Sequence, residues 1–397
     1  MSGRRLRIGV AGLGRAFTLM LPTFSADPRV ELVAAADARP DARQRFASDF
    51  GARTYDTVEA LARDAGTDVI YVATPHGLHA AHTEMAAAGG KHVLVEKPMA
   101  ISLAECDRMI AACVAAKVHL IVGHSHSFDR PVLEARRLIA QGTLGRLRMI
   151  TALNFTDFLY RPRRPEELVT EAGGGVVFSQ AAHQVDIVRY LAGTRAVAVR
   201  AHTGSWDRLR PTEGAYSALL RFEDGAFASL VYSGYGHFDS DEFCGWVGEL
   251  GVPKDPEQYG AARRRLAGIP PGTTEDEFKA AASYGSNAAA TVAAQPRTHQ
   301  HFGTIVACCE RGDVRPLPDR IITYDDGERI VHALAPPRIP RVEVIDELYD
   351  AVVGGQPPLH DGPWSKATLE ICLALLDSAR TGRDVELSHQ VALPRGR

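Results

Sequence analysis

Short apolar runs alternate with alanine-rich stretches of helical spacing through the first third of the chain. Arg7–Ala11, Val30–Ala36, Asp68–Ala73, His92–Glu96 and His119–Val122 are rich in valine and isoleucine and read as strands buried on both faces. Between them Pro40–Phe50, Val58–Asp64, Leu78–Ala88 and Ser102–Lys117 read as helices, the last opened by a capping box of Ser102 and Glu105. Strand and helix in alternation predict a parallel sheet with helices on both faces.

Past Gly145 apolar residues recur at every second position. Leu147–Phe155, Val197–Thr203, Ala215–Phe222 and Phe227–Tyr232 fit strands of an open, mainly antiparallel sheet, with a Glu223-Asp224-Gly225 turn before the last. Helices are expected at Pro131–Gln141 and Ala182–Ala192, strands at Phe302–Glu310 and Arg320–Tyr324, and a closing helix over Lys366–Thr381, ended by Gly382. The Gly-, Pro- and Ala-rich stretch from Gly234 to Thr298 has no clear period. The expected organisation is α/β: a dinucleotide-binding domain over 1–123 and a second α/β domain over 124–360 with an insertion at about 235–300. A C-terminal helix and tail, 361–397, is expected to pack back on the first domain.

Composition narrows the function classes. A 397-residue chain with 45% hydrophobic and 23% charged residues suits two globular domains. Its formal charge of −3 gives no reason to expect nucleic acid or an anionic membrane as partner. No apolar run approaches the ~20 residues of a membrane helix. Arg4-Arg5 leads straight into a strand without the apolar core of an export signal, so a cytoplasmic location is expected. Six cysteines without a C-x-x-C pair predict neither a zinc site nor a disulfide framework, and no metal is expected.

Gly12-Leu-Gly14 follows a strand and precedes a helix, the setting in which backbone amides at a helix N-terminus receive a pyrophosphate. Arg15, Ala16 and Phe17 continue the turn, and Phe17 stands where the fingerprint has its third, packing glycine. Asp37 closes the second strand, where a carboxylate accepts hydrogen bonds from the adenosine ribose and repels a 2′-phosphate. NAD is therefore expected over NADP, with Arg39 as the residue that would accommodate the phosphate.

Four ordered segments carry a specific resemblance: Gly12-Leu-Gly14, Ala73-Thr74-Pro75-His76-Gly-Leu-His79, Gly90-Lys-His-Val-Leu-Val-Glu96-Lys97-Pro98, and Gly173-Gly-Gly175 with His183-Gln-Val-Asp186. Together they resemble the Gfo/Idh/MocA oxidoreductases from about residue 5 to 235 and again over the final helix. The resemblance implies a Rossmann domain followed by an α/β domain whose open sheet serves a homo-oligomer, a dimer or tetramer. It places Thr74, Pro75, His76, His79, Glu96 and Lys97 at the cofactor, and makes Lys97 and His183 the catalytic pair. Ser179 and Ala181 depart from the family pattern, which has aspartate and glycine there. Chemically, an imidazole suits removal of a hydroxyl proton and an ammonium suits a developing alkoxide.

Gly123-His124-Ser-His126, Tyr160-Arg161-Pro-Arg163-Arg164-Pro165 and Ser179-Gln180 look like the subgroup containing phthalate cis-dihydrodiol dehydrogenases. Pro162 and Pro165 keep the arginines on an irregular loop. A guanidinium there can bind a substrate carboxylate bidentately. His124, His126, Tyr160, Arg161, Arg163, Arg164, Ser179 and Gln180 are accordingly candidate substrate contacts, with no single arginine preferred. The resemblance implies oxidation of a carboxylated cis-dihydrodiol to a catechol carboxylate. The alternatives are a sugar, inositol or sugar-acid dehydrogenase, and a dinucleotide-sensing regulator without turnover.

Overall fold

A computed structural model describes residues 4–258, 260–281, 283–285 and 298–394, which fall into two compact units. The first contains β1 (Leu6–Ala11), α1 (Arg15–Ala26), β2 (Val30–Ala36), α2 (Pro40–Phe50), β3 (Arg53–Tyr55), α3 (Val58–Ala62), β4 (Val69–Val72), α4 (His79–Ala88), β5 (His92–Val95), α5 (Leu103–Ala116) and β6 (Leu120–Val122). Its parallel sheet has the order β3-β2-β1-β4-β5-β6, so the strand order reverses between β1 and β4. Ligands of such sheets bind outside the carboxyl ends of the strands at that reversal. β4 and the core of β5 are fully buried, as continuous apolar runs require. Ser102 caps α5 by accepting from the Glu105 amide at 3.3 Å, while Glu105 Oε2 accepts from Ile101 N rather than Ser102 N.

The second unit carries α6 (Arg130–Ala140), β7 (Leu147–Phe155), α7 (Ala182–Ala192), β8 (Ala196–Gly204), β9 (Ala215–Phe222) and β10 (Phe227–Ser233). After the short α8 (Ala261–Ala267) and α9 (Glu275–Ala280) come β11 (Thr304–Cys309), β12 (Gly312–Leu317), β13 (Arg320–Asp325) and β14 (Arg329–Ala333). α10 (Val342–Val352) returns to the first unit, and α11 (Gly362–Thr381) and β15 (Val385–Glu386) close the chain. The nine-stranded sheet runs β14-β13-β12-β11-β7-β10-β9-β8-β15, antiparallel throughout except where β10 pairs parallel to β7. α6 packs on β12 and β13, and α7 on β7 and β10. β9 alternates buried and exposed residues, so the sheet is covered on one face only.

Three assignments differ from the sequence reading, the first being that residues 339–360, expected in the second domain, lie in the first unit. Residues from Ala367 onward belong to the second unit, not the first. The reason is polar as well as apolar: Ser378 Oγ accepts from Ala201 N on β8 at 2.9 Å, and the buried Arg189 of α7 donates to Thr368 Oγ1 at 2.6 Å. The insertion is also divided. The stretch to Glu275 lies in the second unit, whereas Asp276 onward, with Tyr284 and Gly285, joins the first; residues 286–297 lie outside those described.

Candidate active site

In the first unit the nucleotide end is built from β1, α1 and β2. A Cβ on Gly12 would sit 2.8 Å from the Ala73 carbonyl oxygen, whereas around Gly14 there is open space. Gly14 is the N-cap of α1 and brings no side chain to its first turn, so the turn is shaped for an external anion. Asp37 Oδ2 accepts from Leu13 N at 2.7 Å, which fixes the glycine turn to the end of β2. These residues fit the dinucleotide expected above. Arg15 is exposed; Phe17 is fully buried, its ring 5.7 Å from Phe46 and 5.2 Å edge-on to Tyr284. The position that normally takes glycine for close packing is thus filled by a ring for which α2 and the insertion supply a pocket.

The Thr74–His79 and Glu96–Lys97 residues expected at the cofactor follow β4 and β5. His79 is buried, its Nε2 2.8 Å from Thr74 O and its Nδ1 2.9 Å from Pro98 O, so one imidazole lies against both the Thr74-Pro75 loop and the Lys97-Pro98 turn, and the neutral ring donates to one carbonyl at a time. Burial lowers its pKa, against the two carbonyls. The Glu96 carboxylate accepts from the Tyr71 hydroxyl, and burial raises its pKa despite Tyr71, Arg341 and Lys97. That bond orients the turn, leaving Lys97, half-buried, on a fixed backbone. Thr74 Oγ1 lies 3.0 Å from His82 Nδ1, and the His76 ring packs edge-on to His79 at 5.7 Å.

In the second unit the Gly173–Gly175 run feeds a π-helical turn, Val177–Ala181, that continues directly into α7. Such turns recur at functional sites because the extra residue re-aims side chains. Ser179, half-buried, and Gln180, buried, lie in it, and His183 follows on the first turn of α7. The turn is locked from below: buried Glu213 accepts from Val177 N at 3.0 Å and from the hydroxyls of Thr170 and Thr212. Gly175 has φ +78°, and a Cβ there would sit 2.1 Å from Glu213 Oε1. Gly175→Ala is therefore expected to destabilise the second unit by about 2–4 kcal/mol, combining left-handed strain with overpacking. A lowered urea midpoint measures it, with Gly327→Ala as the comparison, since a Cβ there meets only Asp325 Oδ1 at 3.5 Å.

His183 sits in an aromatic cage. Its ring is 4.6 Å from His126 and 5.1 Å from Phe302, and Phe302 stacks on Tyr232 at 6.1 Å. His126 Nδ1 meets Asp129 Oδ2 at 2.6 Å, a carboxylate–imidazole pair that fixes the ring's orientation. His124, also buried, is the last residue of the first unit. Asp186 serves the helix core, accepting from Ser127 and, at 3.0 Å, from Thr368.

The three arginines separate clearly. Arg163 is committed to structure: Nη2 donates to Phe158 O at 2.6 Å and its guanidinium lies 3.6 Å above the Phe158 ring. Arg164 precedes a short 3-10 helix, Pro165–Leu168, and caps it through its main-chain N, which donates to Glu167 Oε2 at 2.7 Å, while its guanidinium lies 3.6 Å from Glu166. Arg161 has loosely held donors too, 3.4 Å to Asp157 and 3.8 Å to Glu249, and it is the one whose neighbour Glu249 also faces His126. Burial opposes its charge, but Glu249 and Asp157 outweigh burial and raise its pKa. Glu249 in turn would be raised by burial, yet Arg161, His126 and the Asn154 amide hold it below the ordinary carboxylate value. Tyr160 bonds Asp207 at 3.1 Å, lies under Arg263, and lines an open cavity of about 500 Å³ with Trp206, Tyr235 and Phe238.

Sequence reasoning missed Glu249, Phe302, Tyr232 and Asp129. Glu249 is a lone acid in a segment without period, and nothing local marks it. His299 and His301, at the end of the insertion, lie 2.8 Å from the Ala335 and Val247 carbonyls and are buried.

A family model described as the oxidoreductase family with an NAD-binding Rossmann fold matches residues 6–124, and the GFO/IDH/MocA C-terminal domain matches 132–252. The chain is 48% identical over 377 residues to a 1-carboxy-3-chloro-3,4-dihydroxycyclohexa-1,5-diene dehydrogenase of Comamonas testosteroni, covering 94% of this chain and 95% of that one. A crystal structure of a putative dehydrogenase from Bordetella bronchiseptica RB50 superposes with a TM-score of 0.90 at 41% identity, covering 96% of this chain and all of that one. An oxidoreductase from Agrobacterium radiobacter, solved with NAD+, L-tartaric acid and magnesium, shares the fold at 18% identity and a TM-score of 0.71, over 96% and 98% of the two chains. Among the described residues no helix is long and apolar enough to cross a membrane. With a dinucleotide turn, a fixed lysine turn and a caged histidine in the expected order, the chain is an NAD-binding oxidoreductase of the Gfo/Idh/MocA family.

Proposed function

We propose that this enzyme oxidises a carboxylated cis-dihydrodiol, derived from phthalate, isophthalate or a chlorobenzoate, to a catechol carboxylate. The observation that carries the reading is the placing of Arg161: its loosely held guanidinium shares Glu249 and Tyr232 as neighbours with the cage around His126 and His183. The carboxylated dihydroxycyclohexadiene named for the Comamonas relative supports the same class.

Bound NAD supplies the hydride acceptor. His183 takes the proton from the carbinol oxygen as the carbon loses hydride, and the Lys97 ammonium stabilises the charge growing on that oxygen. Arg161 receives the ring carboxylate, which sets the orientation of the diol. The hydroxydienone so formed enolises to the catechol. Ser179, in place of the family's aspartate, leaves one anion fewer beside an anionic substrate. The uncovered sheet face, where Leu219 and Phe227 are exposed, serves the homo-oligomer in this reading.

The test is a substrate comparison with purified enzyme and NAD+. NADH should form with a carboxylated cis-dihydrodiol, with catechol carboxylate as the product, and not with inositols or free sugars. NADH from an inositol or sugar acid, with none from the diol acids, would sink the proposal.

A further inference from the structure

Arg39 is the residue that would be free to meet a 2′-phosphate, and the fold does not leave it free. Its main-chain N and Nε reach Asp37 Oδ1 at 2.9 and 3.1 Å, and Nη2 reaches Leu13 O at 2.9 Å and Asp37 Oδ2 at 3.3 Å. The remaining nitrogen, Nη1, donates to the backbone carbonyl of Tyr284 at 3.3 Å. That carbonyl comes from the insertion, 245 residues further along the chain.

Tyr284 is itself fastened. Its ring is 5.2 Å from Phe17 and 6.2 Å from Phe46, and its hydroxyl donates to Asp49 Oδ2 at 2.7 Å, a carboxylate also held by Arg45. Gly285, at φ +92°, brings the backbone so close to α2 that a Cβ would lie 2.6 Å from Ala42 Cα. Phe17, the departure from the glycine fingerprint, supplies the ring on which Tyr284 seats. The altered motif and the insertion form one device.

We propose that Tyr284 and Gly285 form a coenzyme-selecting clasp: by pinning Arg39 onto Asp37 they withhold the guanidinium from a 2′-phosphate and enforce NAD over NADP. A guanidinium prefers a dianionic phosphate in bidentate geometry to scattered neutral carbonyls. Turning Arg39 outward to meet one would break its bonds to Asp37, Leu13 and Tyr284 together. A ribose hydroxyl asks for much less. It needs only Asp37 Oδ2, where the arginine's contact is 3.3 Å, and leaves the Nε bond to Asp37 Oδ1 and the Nη1 bond to Tyr284 O in place.

The clasp rests on NAD binding and not on the substrate class, so its test uses binding alone. Calorimetric Kd values for NAD+ and NADP+ are compared for the full-length protein, Gly285→Ala, Tyr284→Leu, Arg39→Ala and Arg39→Ala combined with each clasp variant. Loosening the clasp should tighten NADP+ about tenfold, the worth of one hydrogen bond to a charged group, with NAD+ changed less than about threefold. The gain should vanish without Arg39. Should Gly285→Ala fail to fold, Tyr284→Leu, which keeps an apolar plug between Phe17 and Phe46, reads the same ratio. Equal weakening of both coenzymes, or an NADP+ gain that survives loss of Arg39, overturns the proposal.

Discussion

Replacing His183 with asparagine is expected to lower kcat on a carboxylated dihydrodiol by about 10²–10⁴-fold, the usual contribution of a positioned general base. The coenzyme Kd should stay within about twofold of wild type, because the dinucleotide elements lie in the first unit. Asparagine keeps much of the volume between His126 and Phe302 but has no group that titrates near neutrality. Rapid-mixing measurement of the first turnover, beside calorimetry with NAD+, separates the two effects. If turnover falls less than about tenfold, the base is elsewhere, and His126 with its Asp129 partner becomes the group to remove next.

The second large effect is on substrate binding. Arg161→Ala should raise KM for the carboxylated diol with little change in kcat on saturating substrate. Two charge-assisted bonds are worth ~1.5–3 kcal/mol each when desolvated. The Arg161 side chain is 39% exposed, which screens them. A net loss of about 2–3 kcal/mol, roughly 30- to 160-fold in KM, is the expectation. The donors are available because Asp157 and Glu249 stand 3.4 and 3.8 Å away, beyond the ~2.7–2.9 Å of a tight ionic bond. Lysine should restore only part of the loss, since a point charge lacks the planar fork. Arg163→Ala is the contrast: its bond to Phe158 O and its place over that ring make it a stability residue, read in the urea midpoint and not in KM. A KM rise with Arg163→Ala and none with Arg161→Ala would reverse this assignment.

The sequence was most legible where local pattern and tertiary role coincide. The spans expected for β2, β7, β9, α2 and α7 match the structure residue for residue, because each has an unbroken apolar period ended by glycine or a turn. β12 was missed because Pro316 argues against a strand, yet it pairs with Ile321 in the ladder. β14 is almost wholly exposed and has no apolar face to announce it. α10 did carry a signal, the helical stripe Val344, Ile345, Leu348 and Ala351, which the reading passed over.

By itself the chain's order of residues determined a Rossmann domain, an open second sheet and candidate chemical groups, since periodicity and short motifs are local properties of a polypeptide. Only the tertiary structure decided which loop arginine is committed to packing, that Glu249 stands beside Arg161, and that a distant tyrosine holds Arg39 in place. Those outcomes depend on contacts between residues far apart in sequence. Such contacts are selected by packing and by pairing of buried charge, and no local pattern records them.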